Sequence, residues 1–161
     1  CSACLDVCPT DAFVGANKLD ARKCISYLTI ELRTSIPEEL RPLMGNRVFG
    51  CDDCQLCCPW NKFSSPTKEK DFSPRHELDR NELITLFNWT EEEFLEKTAG
   101  SSIRRIGYEC WQRNLAIGLG NADSSPEIKA ALQKKINHPS ALIKEHVEWA
   151  LAQQKIFISP V

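Results

Sequence analysis

Eight of the nine cysteines in this chain lie in its first 58 residues: Cys1, Cys4, Cys8, Cys24, Cys51, Cys54, Cys57 and Cys58, with only Cys110 beyond them. Thiols gathered in this way read as a site plus one stray member. A disulfide scaffold would be short and would spread its cysteines, and neighbours such as Cys57 and Cys58 bridge each other only under strain. Metal chemistry is the expectation. The stretch CSACLDVCPT has the spacing Cys-x2-Cys-x3-Cys-Pro. CDDCQLCCPW repeats it when Cys51, Cys54 and Cys58 are read and Cys57 is passed over, so the two runs match at an offset of fifty residues.

Spacing points to the kind of metal. The bacterial two-cluster run is Cys-x2-Cys-x2-Cys-x3-Cys-Pro, in which three thiolates hold one iron–sulfur cube and the fourth reaches to the other. Each run here is that pattern without its first cysteine. For the first run the missing ligand is expected three residues before Cys1, since a chain that opens at Cys1 without a methionine reads as a piece of something longer. In the second run the equivalent place is Val48, and Cys24 is the available substitute. The chain thus offers seven well-spaced sulfurs toward the eight that two 4Fe-4S cubes need. A zinc site built from Cys-x2-Cys pairs is the alternative, and the repeated x3-Cys-Pro tells against it. Spacing alone leaves open Cys51, Cys54 and Cys57 as a complete local triad. The fifty-residue match instead puts Cys57 in the place of Val7, an apolar spacer.

The elements that must carry these thiols follow from the rest of the chain. At 161 residues, 42% hydrophobic, 26% charged and with a net charge of −2, it has room for one medium domain or two small ones and is not basic overall. No apolar run approaches the roughly 18–20 residues of a membrane span, and no signal peptide opens the chain. A soluble, cytoplasmic protein without membrane contact is expected. The fold expected is α+β and mostly α: a two-cluster ferredoxin-like domain over 1–63, a connector over 64–89 containing SSPTKEKDFSPRHE, and a HEAT-like helical domain over 90–161. Thr90 with Glu93 is a capping box. Ile103, Ile106, Cys110, Leu115 and Leu119 recur at helical spacing up to Gly120-Asn121, and Pro126 and Pro139 each stand where a first helical turn would start. LAIGLG and VEWALA align at an offset of thirty-two, as HEAT-like helix pairs or as a generic stack of amphipathic helices. Arg104, Arg105, Arg113, Lys129, Lys134, Lys135 and Lys144 make this half basic, either as a phosphate-contacting face or as solvated helix surface. His76, His138 and His146 read as structural or surface residues, and Cys110 as packed.

The segments ACLDVCPTDAF, CISYLTIELR, GCDDCQLCCPWNKF and RNLAIGLGNA, in that order, resemble the C-terminal half of the epoxyqueuosine reductase family across essentially the whole chain. That resemblance implies an oxidoreductase that reduces epoxyqueuosine to queuosine at the tRNA wobble position, with cobalamin and two 4Fe-4S clusters as cofactors. It assigns one cluster to Cys8, Cys24, Cys51 and Cys54, and the other to Cys1, Cys4, Cys58 and an upstream cysteine. It turns Ser26 and the Cys51–Asp52 backbone toward the corrin, although Ser26 as an ordinary cap is the alternative. It makes Arg104, Arg105 and Arg113 the residues expected to meet tRNA. The cobalamin domain and the acidic catalytic residue precede this stretch in the family, so no catalytic residue is expected here and the chain alone should not turn over. The partners implied are tRNA and an electron donor such as a flavodoxin or ferredoxin, on a monomer. The competing reading is a two-cluster electron-transfer module of another oxidoreductase, the cobalamin-dependent dehalogenases included, which would have no need of a basic helical surface.

Overall fold

The fifty-residue match is visible in the backbone. A computed structural model describes residues 1–156, so the last five residues of the expected 90–161 unit lie outside the described residues. Each cysteine run forms a single helical turn, α1 (Ala3–Asp6) and α2 (Asp53–Leu56), and the two turns pack together. Ser2 has φ −112°, ψ 3° and Asp52 φ −108°, ψ 12°; Val7 has φ −84°, ψ −14° and Cys57 φ −75°, ψ −7°. The Ser2 carbonyl accepts from Leu5 N–H at 2.7 Å, and the Asp52 carbonyl from Gln55 N–H at 2.9 Å. Both turns end at an x3-Cys-Pro step, where proline cannot continue the helix. After α1 comes a short antiparallel hairpin, β1 (Phe13–Gly15) and β2 (Lys18–Leu19), turned by Asn17 at φ 59°. Asparagine tolerates that left-handed region. The chain then passes Cys24 and enters a π-helix, Tyr27–Glu31.

Five helices follow: α3 (Leu83–Phe87), α4 (Glu91–Lys97), α5 (Gly107–Asn121), α6 (Pro126–Lys134) and α7 (Ala141–Ile156). The Thr90–Glu93 capping box forms in both directions, with Glu93 N–H to Thr90 Oγ1 at 3.2 Å and Thr90 N–H to Glu93 Oε2 at 2.8 Å. Pro126 occupies the first turn of α6, capped by Ser125. Pro139 does not enter α7, because Ser140 is the better cap and accepts from Ile143 N–H at 3.4 Å. The helical spacing that starts at Ile103 is broken at Gly107, whose φ of 76° divides a 3-10 helix (Ser102–Ile106) from α5.

One hydrophobic core spans both halves, running from Ile25, Leu28, Ile36 and Met44 through Phe87, Phe94 and Trp111 to Ile143, Val147 and Ala150. The stretch 64–89, read as a connector, divides. Residues 64–77 are exposed, whereas α3 buries Leu86 and Phe87 against α5. Helices α5 and α7 approach closely where Gly120 lacks a side chain: a Cβ there would lie 2.6 Å from Trp149 Cζ3 and 3.0 Å from Ala150 Cα. Gln154 Nε2 then donates to the carbonyls of Leu119 at 2.9 Å and Ala122 at 2.8 Å, serving the end of α5.

His146 on α7 is wholly buried. Its Nδ1–H donates to Leu142 O at 2.8 Å, and its Nε2 accepts from Ile36 N–H at 3.3 Å, so both nitrogens are engaged as a neutral ring. Burial, helped by the Arg41 cation, pushes its pKa down to about 4. The unfolded chain therefore binds a proton that the fold refuses between about pH 6.5 and pH 4. His146 should contribute its full stability above that window and lose up to about 3 kcal/mol as the pH falls through it. Chemical denaturation from pH 7 to pH 4 checks this, and His146→Gln should flatten that part of the profile.

Candidate metal centre

Cys8, Cys24, Cys51 and Cys54 line one cavity of about 70 Å³, together with Pro9, Ala12, Phe13, Leu19 and Ile25. Four separate features deliver them: the step after α1, the end of a 3-10 turn (Ala21–Lys23) capped by Asp20, the entry to α2, and α2 itself. Cys8 Sγ accepts from Ala12 N–H at 3.3 Å and lies 3.7 Å from Thr10 Oγ1. Burial works to raise the Cys8 thiol, but hydrogen bonds from Ala12 and Thr10 outweigh it and hold the pKa below the ordinary value. Cys51 is pushed up by burial, then by the Asp53 charge. Cys54 is pushed up by burial and by the thiols of Cys51, Cys24 and Cys4. Thiols that oppose one another's ionisation become thiolates together only around a cation.

Four thiols around a cavity whose other walls are mostly apolar, with Thr10 and Asp53 the polar exceptions, are a donor set that fits an iron–sulfur cluster.

In the second set Cys4 and Cys58 are half-buried, as are the four thiols of the cavity. The packing of α1 on α2 sets the Cys4 thiol close enough to act on Cys54 and Cys57. Cys57 closes its helical turn as Val7 does, and its Sγ points to Cys54 O at 3.5 Å.

Ser26 makes no capping bond to the helix it precedes. Its hydroxyl accepts from Cys51 N–H at 2.9 Å and donates to Cys51 O at 3.1 Å, tying the Cys24 turn to the Cys51 turn. Asp52 is exposed, and its carboxylate accepts from Gln55 Nε2 at 2.8 Å.

The basic residues separate into two kinds. Arg104 and Arg105 are exposed on the 3-10 helix that Ser101 caps; Arg104 donates to Leu95 O at 3.1 Å, and Arg105 pairs with Glu31. Arg33, which sequence reasoning missed, donates to the carbonyls of Ile106 and Arg105 at 2.5 and 3.0 Å, at the end of that helix. Arg113 corrects the expectation of a phosphate contact. It is wholly buried on the inner face of α5, and its guanidinium donates to Leu28 O at 2.8 Å, Leu32 O at 2.8 Å and Thr34 O at 2.7 Å. Lys135 is also turned inward, donating to Phe87 O at 2.6 Å and Gln112 Oε1 at 2.7 Å, and burial pushes its pKa down to about 8.

Comparison with known proteins agrees with this chemistry. Residues 1–61 match the family model of the 4Fe-4S double cluster binding domain. Over that stretch the two thiol sets are similar to those of a double iron–sulfur cluster domain. The epoxyqueuosine reductase of Pseudomonas aeruginosa is 65% identical over 151 residues, covering 94% of this chain and 42% of that protein. That of Escherichia coli K12 is 59% identical, covering 96% and 40%. An epoxyqueuosine reductase structure from Bacillus subtilis superposes with a TM-score of 0.83 at 33% identity, over 96% of this chain and 41% of that one. A crystal structure of epoxyqueuosine reductase with an epoxyqueuosine-modified tRNA-Tyr stem loop superposes at 0.73 with 28% identity, over 96% and 50%. The chain is similar to these epoxyqueuosine reductases along nearly its whole length and spans about two-fifths of the length of the curated relatives it matches. No helix among the described residues is long and apolar enough to cross a membrane.

Arg113→Met should leave the carbonyls of Leu28, Leu32 and Thr34 without their donor. A buried orphan costs about 1–3 kcal/mol, and Leu28 O is the fully buried one of the three, so a loss of about 1–3 kcal/mol is expected, read as a lower urea midpoint at an unchanged slope.

Proposed function

We propose that this chain is the electron-relaying and tRNA-contacting part of an enzyme that reduces epoxyqueuosine to queuosine at the tRNA wobble position. The observation that carries the reading is the single apolar cavity lined by Cys8, Cys24, Cys51 and Cys54. These four residues hold one 4Fe-4S cluster. Cys1, Cys4 and Cys58 hold the second, with a thiolate from a segment preceding Cys1. Loss of the epoxide oxygen as water takes two electrons and two protons, and bound clusters supply one-electron storage and transfer. Carbon–oxygen chemistry at the base belongs to cobalamin in the preceding part of the enzyme. Ser26 and the Cys51–Asp52 backbone form the edge turned to the corrin, with the Ser26 hydroxyl keeping the Cys51 peptide fixed.

The helical half works as a HEAT-like unit. The lateral packing of α5 and α7 supports this, since LAIGLG and VEWALA lie on those two helices. Its exposed Arg104 and Arg105 meet tRNA phosphates. Electrons arrive from a flavodoxin or ferredoxin, and the protein acts as a cytoplasmic monomer.

Iron analysis of the reconstituted full-length enzyme tests the ligand assignment. Cys24→Ser should lose one cluster's iron and most activity, whereas Cys57→Val should keep both clusters. Exchanged outcomes would overturn the pairing, and stoichiometric zinc without iron would sink the cluster reading altogether.

Arg104→Ala combined with Arg105→Ala should weaken tRNA binding and make its log–log salt dependence shallower by about two phosphate contacts. Cluster absorbance should not change. An unaltered affinity and slope, measured by filter binding across a salt series, would return these arginines to ordinary surface roles.

A further inference from the structure

Two buried side chains that sequence reasoning passed over brace the cysteine turns against each other. Thr29 lies five residues after Cys24, and Val48 three residues before Cys51. Asn114, wholly buried on α5, donates one amide hydrogen to Thr29 O at 2.9 Å and the other to Val48 O at 2.8 Å. Its oxygen accepts from Arg113 Nε at 3.0 Å and Nη2 at 2.9 Å, which fixes which way the amide faces. The Thr29 hydroxyl, also wholly buried, donates to Ile25 O at 2.7 Å and accepts from Gly50 N–H at 3.0 Å. Beyond the Ser26–Cys51 tie, the two segments are thus joined twice more, once through a side-chain amide and once through a hydroxyl.

We infer that Asn114 and Thr29 are positioning residues for the cluster of Cys8, Cys24, Cys51 and Cys54, setting the separation of the Cys24 and Cys51 turns. This rests on the ligand assignment proposed above. Neither side chain touches the cavity. They act through backbone, on two ligands 27 residues apart in sequence that only tertiary structure can hold in register. A cluster site works when its ligands are held to within about half an ångström by such supporting contacts. Outer partners of metal ligands typically matter by about 10–100-fold in metal affinity.

The test uses the full-length enzyme reconstituted with iron and sulfide, with three variants. Thr29→Val removes the hydroxyl at constant shape, Thr29→Ser keeps it, and Asn114→Asp replaces the donor with an acceptor. Iron loss to a ferrous chelator is followed well below the unfolding midpoint, alongside the EPR spectrum of the dithionite-reduced protein. Thr29→Val and Asn114→Asp should release one cluster's iron about tenfold faster and alter one of the two EPR signals. The signal of the Cys1, Cys4 and Cys58 cluster should stay as an internal reference. Thr29→Ser should remain within about twofold of the parent. A lowered melting temperature with native iron-loss rates and both EPR signals intact would make these ordinary packing bonds and overturn the inference. Should Asn114→Asp fail to fold, the Thr29 pair decides the matter. Zinc without iron in the parent protein would overturn the ligand assignment as well, a result distinguishable from normal iron with indifferent variants.

Discussion

Most of this structure depends on where the carbonyl groups of residues 28–34 find their donors. The π-helix Tyr27–Glu31 closes with Leu32 N–H on Tyr27 O, one residue wider than an α-helical turn. The carbonyls of Leu28 and Thr29 then look into the protein core, where water is not available to them, and those of Leu32 and Thr34 lie at its edge. Buried peptide groups left unpaired cost more than any one contact returns. Arg113 and Asn114 answer all four from neighbouring positions on α5. A single turn of one helix thereby anchors the segment that leads away from Cys24, and through Val48 O it also holds the segment that leads to Cys51.

With that anchor in place, the metal centre is a problem of like charges brought together. The thiols of Cys51, Cys54 and Cys24 crowd a cavity whose other walls are largely apolar, and burial is the first influence raising Cys51 and Cys54. Cys8 differs because the turn after α1 directs N–H groups at its sulfur. Hydrogen bonds to cluster sulfurs and the exclusion of solvent are the means by which proteins set cluster potentials. The two halves of the fifty-residue repeat are therefore alike in backbone, and Cys4 and its counterpart Cys54 are both half-buried.

The legible parts were those whose chemistry is local. Cysteine spacing, the capping box at Thr90 and the proline that opens α6 each declare themselves within a few residues, and the structure contains them. The equivalence of Cys57 with Val7 was also legible, because a shift of fifty residues superimposes two nearly identical turns. Arg113 and Lys135 were misread for the opposite reason. A basic residue in a helix reads as surface until the carbonyls that need it are known, and those belong to residues 28–34 and to Phe87, far away in sequence. Asn114 and Thr29 carried no signal at all, since a polar residue inside a helix looks the same whether it faces water or a peptide group. The division at residues 63 and 90 followed composition, whereas the core followed α3 and α5 across it.

The shared core also orders events in time. All four thiols of the cavity are present by Cys54, and the side chains that hold two of their turns arrive only with Arg113 and Asn114, some sixty residues later. At ribosomal rates of about 5–20 residues per second, the cysteines leave the tunnel several seconds before their frame exists. During that interval they are free thiols on an unorganised chain, open to oxidation and to stray metals. The frame of this cavity is thus complete only after translation has passed α5.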